Sequence, residues 1–436
     1  MKVFCDKDVE RARQCLALAQ SLGASAADIK VSYGTAYGCS FEAGRLKQTG
    51  TSETLQYSLS VIVNGHRGDA GGNRMDALEE MTRRAVALAA EGAVAHFDRY
   101  PAPGQYAQIR SSSDTVRQLT RAKLINDCTE LVDFLKSLDA GLDIQAGGGR
   151  SEGEGFCLNS GGFFQEQEST SWSLAGAFCR VEGEDMLFSG SSRGWGEVNE
   201  FYDLQAIKKE LQEDYQYGIR PAGAISGVCP VLFAPQAAGR FLNPVLAALN
   251  GRSVFKGTSP LKDKLGQRCF DAKLTVRDEP HLDYAPGSSA YDDAGLPTRP
   301  VTLIDAGVVR MFLYDYDTAH LAGVEPTAHS GCEPYNVRMQ LGDMPSGELL
   351  RSIKRGLYVK HFLGFGQGNI GNGDFSTNVA LGFLVENGEI VGRVKNMMLA
   401  GNIFELFKQD LAISSDCYPT SRLPYLLFPA VSVASK

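Results

Sequence analysis

No run of 18 apolar residues occurs in the 436-residue chain, so no membrane-spanning helix is predicted. Proline is sparse, 17 residues against 48 glycines. With 43% hydrophobic and 22% charged residues, this balance fits a turn-rich globular β protein better than a disordered one. Positive charge is in the minority: 43 Lys and Arg stand against 51 Asp and Glu, a net charge of −8. That disfavours direct, nonspecific binding of nucleic acid. The ten cysteines are scattered from Cys5 to Cys417, with no CxxC pair and no histidine at zinc-finger spacing. No signal-peptide pattern opens the sequence, where Met1-Lys2-Val3-Phe4-Cys5-Asp6 leads into a charged helix. Reduced thiols and a cytoplasmic location are the expectation.

Motifs for several reaction classes are missing as well. The six histidines (66, 96, 281, 320, 329 and 361) form neither HExxH nor HxH. His281 stands among Asp278, Glu279 and Asp283; this reads as a solvated acidic turn, because zinc needs three or four ligands in defined geometry. Without GxSxG there is no nucleophile elbow. Cys417, beside Asp416 and Tyr418, has no identified base to activate it. Tyr291-Asp292-Asp293 places adjacent carboxylates in a turn, where they could bind a cation or, the favoured reading, hold the loop. GxGxxG can be read at Gly366 to Gly371, but a β-like run follows it where a dinucleotide site needs a helix, and no glycine is followed by Lys-Ser/Thr.

What the chain does have is a glycine-rich stretch, Gly364 to Ser376, with five glycines among thirteen residues. A strand-like run, Gly356 to Lys360, precedes it. Two apolar runs, Val379–Leu384 and Ile390–Leu399, follow it and are joined through Asn387-Gly388. Asn-Gly between apolar runs predicts a hairpin, so the stretch is expected to be a loop carried on a sheet, where functional backbone tends to sit. Earlier in the chain, helical spacing predicts helices over 6–22, 75–90, 114–138 and 203–217, with Ser113 or Asp114 as a cap. Strands are predicted over 29–35, 40–48 and 54–64, with a turn at Asn64-Gly65. A polar connector covers 100–113, and a turn is expected at Asn159 to Gly162. Pro221-Ala222-Gly223 suggests the boundary between a region 1–220, subdivided near 100–113, and a region 221–436. An apolar helix is expected over 235–248, interrupted at Pro244. No repeat of 20 to 50 residues is visible.

The second half resembles the TldD/PmbA family. The matching words are Ser289 to Thr298 (SAYDDAGLPT), Leu303 to Gly307, Leu313-Tyr314-Asp315 with Thr318-Ala319, Gly356 to Val359, Gly373 to Ser376, Glu386 to Ile390, and Ala400-Gly401-Asn402. Their order and spacing resemble the family throughout residues 225–433. TldD-like members carry HExxxH on a helix and bind zinc; PmbA-like members, also called TldE, lack it. In the corresponding helix Asn243 falls at the first His, Pro244 at the Glu, and Ala247 or Ala248 at the second His. An amide, a proline and an alanine supply neither ligands for a catalytic zinc nor a base for its water.

The resemblance implies an α+β fold, with an N-terminal mixed region and a β-rich C-terminal domain of the TldD/PmbA type. It implies a PmbA/TldE-like, metal-free subunit that has no catalytic residues or cofactor of its own. Zinc would sit on a TldD-like partner, and the pair would degrade or process unfolded peptides. The family is also linked by name to modulation of DNA gyrase, which does not require this acidic chain to bind DNA. Asn369, Asn372, Gly373, Asp374, Phe375, Ser376 and Asn402 are the candidates for lining a peptide channel. Turn and strand-end hydrogen bonding is the competing role for these residues. The alternatives are a homodimeric peptide-binding or regulatory protein, and a metal-independent hydrolase using Cys417.

Overall fold

Helical spacing at the N-terminus produces a helix over Asp6–Ser21 (α1), whose Ala12, Cys15, Leu16 and Ala19 are buried. The structure is a computed structural model that describes residues 4–366 and 369–435. Met1 to Val3, Lys436, and the Gln367-Gly368 pair of the glycine-rich stretch and its GxGxxG reading lie outside the described residues. After α1 come three strands, β1 (Ala24–Glu42), β2 (Arg45–Val63) and β3 (His66–Gly72), and then α2 (Leu78–Leu88). A short helix α3 (Asp114–Arg117) precedes a second set of the same kind: α4 (Arg121–Leu138), β4 (Asp143–Asn159), β5 (Phe164–Glu182), β6 (Asp185–Trp195) and α5 (Leu204–Gly218).

The two sets share one antiparallel sheet, ordered β3-β2-β1-β4-β5-β6. It is joined at its centre by β1 against β4, from Asp28↔Asn159 to Phe41↔Ala146. The repeated unit is thus larger than the 20–50 residues sought in the sequence, and it repeats an order of elements rather than a string of residues. Apolar side chains of β1 and β2 (Ile29, Val31, Leu59, Val61) meet α1 and α2. Those of β4 and β5 (Ile144, Leu174, Phe178) meet Leu124, Leu131 and Leu135 of α4 and Ile207 and Leu211 of α5. Strand alternation then sends Asp28, Lys30 and Ser32 of β1 to the other face.

The sequence expectation of two strands over 29–35 and 40–48 is corrected to one strand, Ala24–Glu42, that turns at Ala43-Gly44. Gly34 and Gly38 resemble turn punctuation, but both sides of β1 are paired through them, with β2 and with β4. The helix expected over 114–138 is likewise two. Ser113 caps α3, and Thr120 caps α4 by accepting from Lys123 N–H. The turn at Asn64-Gly65 forms with both residues at positive φ. Residues 101–113 carry no regular structure.

The C-terminal region is β-rich. β7 (Gly227–Phe233) leads to α6 (Pro235–Ala247), and a small sheet contains β8 (Val276–Asp278), β9 (Val301–Asp305), β10 (Val308–Val309) and β11 (Val337–Met339). β12 (Arg355–Leu363), β13 (Asp374–Glu386), β14 (Glu389–Arg393), β15 (Met397–Asn402), β16 (Ala412–Cys417) and β17 (Pro424–Ser435) complete the chain. The pairings β12-β7-β17-β15-β13 return to β12 through β12–β13, so five strands close into a ring. Phe241 of α6 touches Phe233 of β7, Phe362 of β12, Phe375 of β13 and Phe428 of β17. Contact with four strands of the ring places α6 against its inner side. The fold is α+β with a β-rich C-terminal part. Among the described residues no helix is long and apolar enough to cross a membrane.

Candidate functional site

The local sequence around α6 decides which residues it leaves open. Phe241, Leu242 and Val245 are buried in the ring, while Gln236, Arg240, Asn243 and Ala247 are exposed on the opposite stripe. Those four recur at helical spacing. Pro244 lies inside a helix that continues to Ala247, a correction to the expected interruption. Its carbonyl still accepts from Ala248 N–H at 3.0 Å. What proline removes is one donor and not the helix: it has no N–H for the carbonyl of Arg240.

A cavity of about 420 Å³ lies between this stripe and the glycine-rich loop. Arg240, Asn243, Pro244, Ala247 and Ala248 line it from α6 and its C-terminal end, Ser253, Thr258, Ser259 and Pro260 from the segment that follows, and Phe365, Ile370 and Gly371 from the loop. All four positions that the resemblance aligns with the zinc motif thus meet the glycine-rich loop around one space. Among the described residues the lining offers hydroxyls, one amide and one guanidinium, but no imidazole, thiolate or carboxylate. That donor set does not fit a catalytic zinc, which takes N, S or carboxylate ligands.

The seven channel candidates stand beside this cavity and do not line it. Asn369, Asn372, Asp374 and Ser376 are exposed, while Gly373 and Phe375 are buried. Asn402 joins the group together. Its Nδ2 donates to the Asn372 carbonyl and to Asp374 Oδ1, both at 2.9 Å, and its Oδ1 accepts from Glu405 N–H at 3.2 Å. Ile403 N–H adds a bond to the Gly373 carbonyl at 2.8 Å. Gly373 has φ of +87°, and a Cβ there would lie 2.5 Å from the Phe404 ring, so both conformation and space call for glycine. Phe375 packs edge-on against Phe241 at 5.0 Å. The Ser376 hydroxyl lies 3.3 Å from Met398 Sδ. These bonds brace the base of the loop against β15. Sequence reasoning did not single out Arg240, Ser253, Thr258, Phe365 or Ile370. The helical spacing Arg240–Asn243–Ala247 was the available signal for the first, but no local signal joins 253–260 to 365–371.

A second, polar cavity of about 300 Å³ separates the open face of β1 from the C-terminal loops. Tyr100 donates to Asp28 at 2.5 Å, and Lys30 pairs with Asp293 at 2.5 Å. Burial pushes the Asp28 carboxyl up to about 6, against the pull of the Tyr100 hydrogen bond. Asp292 is raised to about 6 by burial, although its carboxylate accepts from Ala294 and Leu296 N–H at 3.0 and 2.8 Å. Asp292 therefore holds its own loop, and Asp293 ties that loop to β1. Elsewhere, His281 faces Thr298 at 2.9 Å, His320 faces the Tyr316 carbonyl at 2.8 Å, and buried His329 faces Asp278 at 3.1 Å. Burial pushes the Cys417 thiol up, the wrong direction for a nucleophile.

Comparisons with known proteins agree with this architecture. Residues 226–435 match the model of the PmbA/TldA metallopeptidase C-terminal domain. A protein named metalloprotease from Methanothermobacter thermautotrophicus is 26% identical over 389 residues, 86% of this chain and 84% of that protein. The metalloprotease PmbA of Escherichia coli O157:H7 is 27% identical over 285 residues, 64% of this chain and 62% of it. In fold, the chain is similar to a candidate modulator of DNA gyrase from Bacteroides thetaiotaomicron, with a TM-score of 0.90 at 24% identity over 99% of this chain and all of that one. It is also similar to TldE from Thermococcus kodakarensis, with a TM-score of 0.88 at 22% identity over 98% of this chain and all of that one. With the domain model matched across the strand ring and the cavity beside it, and named metalloproteases among the relatives, residues 226–435 carry a C-terminal domain of the PmbA/TldD type.

Proposed function

We propose that this chain is the metal-free, PmbA/TldE-like subunit of a two-chain peptidase, that zinc and catalysis belong to a TldD-like partner, and that the cavity beside α6 receives unfolded peptide. One observation carries the reading. The space around the aligned motif positions is open and lined by Phe365, Ile370 and Gly371 of the glycine-rich loop, while Asn243, Pro244, Ala247 and Ala248, which the resemblance aligns with the zinc motif, bring no imidazole or carboxylate to it. A pocket that keeps its volume without its ligands is suited to holding a chain and not to cutting it. An extended peptide beside sheet and loop backbone would be held largely through main-chain hydrogen bonds, which tolerate many sequences.

Native mass spectrometry of the chain captured from its own cells, with metal content read on the same sample, tests this. The expected species is a complex with a second chain that carries the zinc. Zinc stoichiometric with this chain alone would overturn the assignment, and a metal-free homodimer would replace it with a binding protein that acts without a peptidase partner.

A further inference from the structure

The cavity beside α6 has a charge character opposite to that of the chain. The protein carries a net charge of −8, yet among the described residues no Asp or Glu lines this space and the one charged group is Arg240. Arg240 forms no hydrogen bond or ion pair with any described residue. Its charge is felt at His361, whose pKa is lowered first by burial, then by Lys360, with Arg240 a smaller contributor. The carboxylates felt at the same histidine, Asp214 and Glu210, are already engaged by Lys360 and Arg193. Asn243 stands one turn along the same stripe, and its amide also has no hydrogen-bond partner among the described residues. Two donors at helical spacing thus face one opening. Pro244, Ala247, Pro260, Phe365 and Ile370 supply an apolar wall.

A guanidinium above an apolar wall selects a ligand with an anionic end and an apolar body. Arginine matches carboxylate with two parallel donors, and about 420 Å³ is the size of a pocket for a small ligand and not for a folded partner. Resting on the peptide-binding reading above, we propose that this cavity captures the C-terminal carboxylate of a peptide whose last side chain is apolar, with Arg240 and Asn243 as the carboxylate's partners. The site would then read a chain end, where free carboxylate and side chain occur together. The polar, sequence-tolerant contacts of the loop would hold the residues before it.

Fluorescence anisotropy on the full-length chain tests the proposal with a labelled hexapeptide ending in leucine, as the free acid and as the C-terminal amide. The acid is expected to bind roughly 10- to 100-fold more tightly than the amide, the range of a charge-assisted bidentate contact. Arg240→Gln is expected to erase that ratio without changing the thermal midpoint, since Arg240 is exposed and bonded to nothing described. Ala247→Trp, which fills the cavity, is expected to weaken the acid. Equal binding of acid and amide to the unaltered protein overturns carboxylate capture and leaves peptide binding standing. Acid binding that survives Arg240→Gln places the carboxylate elsewhere and also overturns it. Binding of neither peptide overturns this inference, and the peptide-receiving role with it if the complex with the partner chain fails as well.

Discussion

Asp214 of α5 and Lys360 of β12 form an ion pair at 2.5 Å that joins the six-stranded sheet's helical layer to the strand carrying the glycine-rich loop. Their side chains are only 4% and 13% exposed, and Ser189 donates a further hydrogen bond to Asp214 at 2.6 Å. Burial by itself would pull the Lys360 pKa down; attraction to Asp214 outweighs it and raises the pKa. Asp214→Ala leaves a buried ammonium without its counter-charge and Ser189 without its acceptor, a loss of about 3–5 kcal/mol. With roughly 2 cal/mol/K per residue, a chain of this length has an unfolding entropy near 0.9 kcal/mol/K, so the midpoint should fall by about 3–6 °C. Lys360→Met in the same chain removes the stranded charge, and the double variant should recover at least about 2 kcal/mol of the summed single losses. Urea titration followed by fluorescence of Trp172 and Trp195, both buried in the N-terminal region, measures each corner of the cycle. A loss under about 1 kcal/mol for Asp214→Ala, or simple additivity, would refute a desolvated pair coupling the two regions. Because the folded pKa of Lys360 is raised, its contribution is complete below the ordinary lysine range and is lost as pH climbs through the folded value.

Asp28 titrates near 6 when folded and near 3.8 otherwise, so its ionisation costs stability that grows from pH 4 and levels off above pH 6, by at most about 3 kcal/mol. Asp28→Asn keeps an acceptor for Tyr100 and should raise the thermal midpoint at pH 8 but not at pH 4; an equal shift at both would dismiss the linkage. Gly373→Ala brings a methyl group against Phe404 at positive φ and should cost about 1–3 kcal/mol, read as a lowered midpoint. Combined with Asp374→Ala it should also slow peptide cleavage by the assembled complex, whereas unchanged cleavage by an intact complex would remove the loop base from the peptide path. Phe241→Ala, which opens the centre of the strand ring, should cost about 3–5 kcal/mol; a near-neutral midpoint would contradict the packing of α6 inside that ring.

The parts of the molecule that were legible in the residues are those ruled by neighbours in the chain. Asp203 accepts from Ala206 N–H and starts α5 at the residue where the helix was expected to begin, because capping is settled within three residues. Asn64-Gly65 and Asn387-Gly388 turn their hairpins with all four residues at positive φ, a demand that Asn and Gly meet locally. The family words of the second half were equally open to reading. Only the tertiary structure decided that β1 runs unbroken through Gly34 and Gly38, since strands on both sides satisfy backbone groups that would otherwise favour a turn. It alone closed β7, β17, β15, β13 and β12 into a ring around Phe241, and it set Arg240 opposite Phe365 and Ile370, more than a hundred residues away. Such meetings depend on which apolar faces bury one another, and burial is a property of the assembled fold with no fixed spacing along the chain.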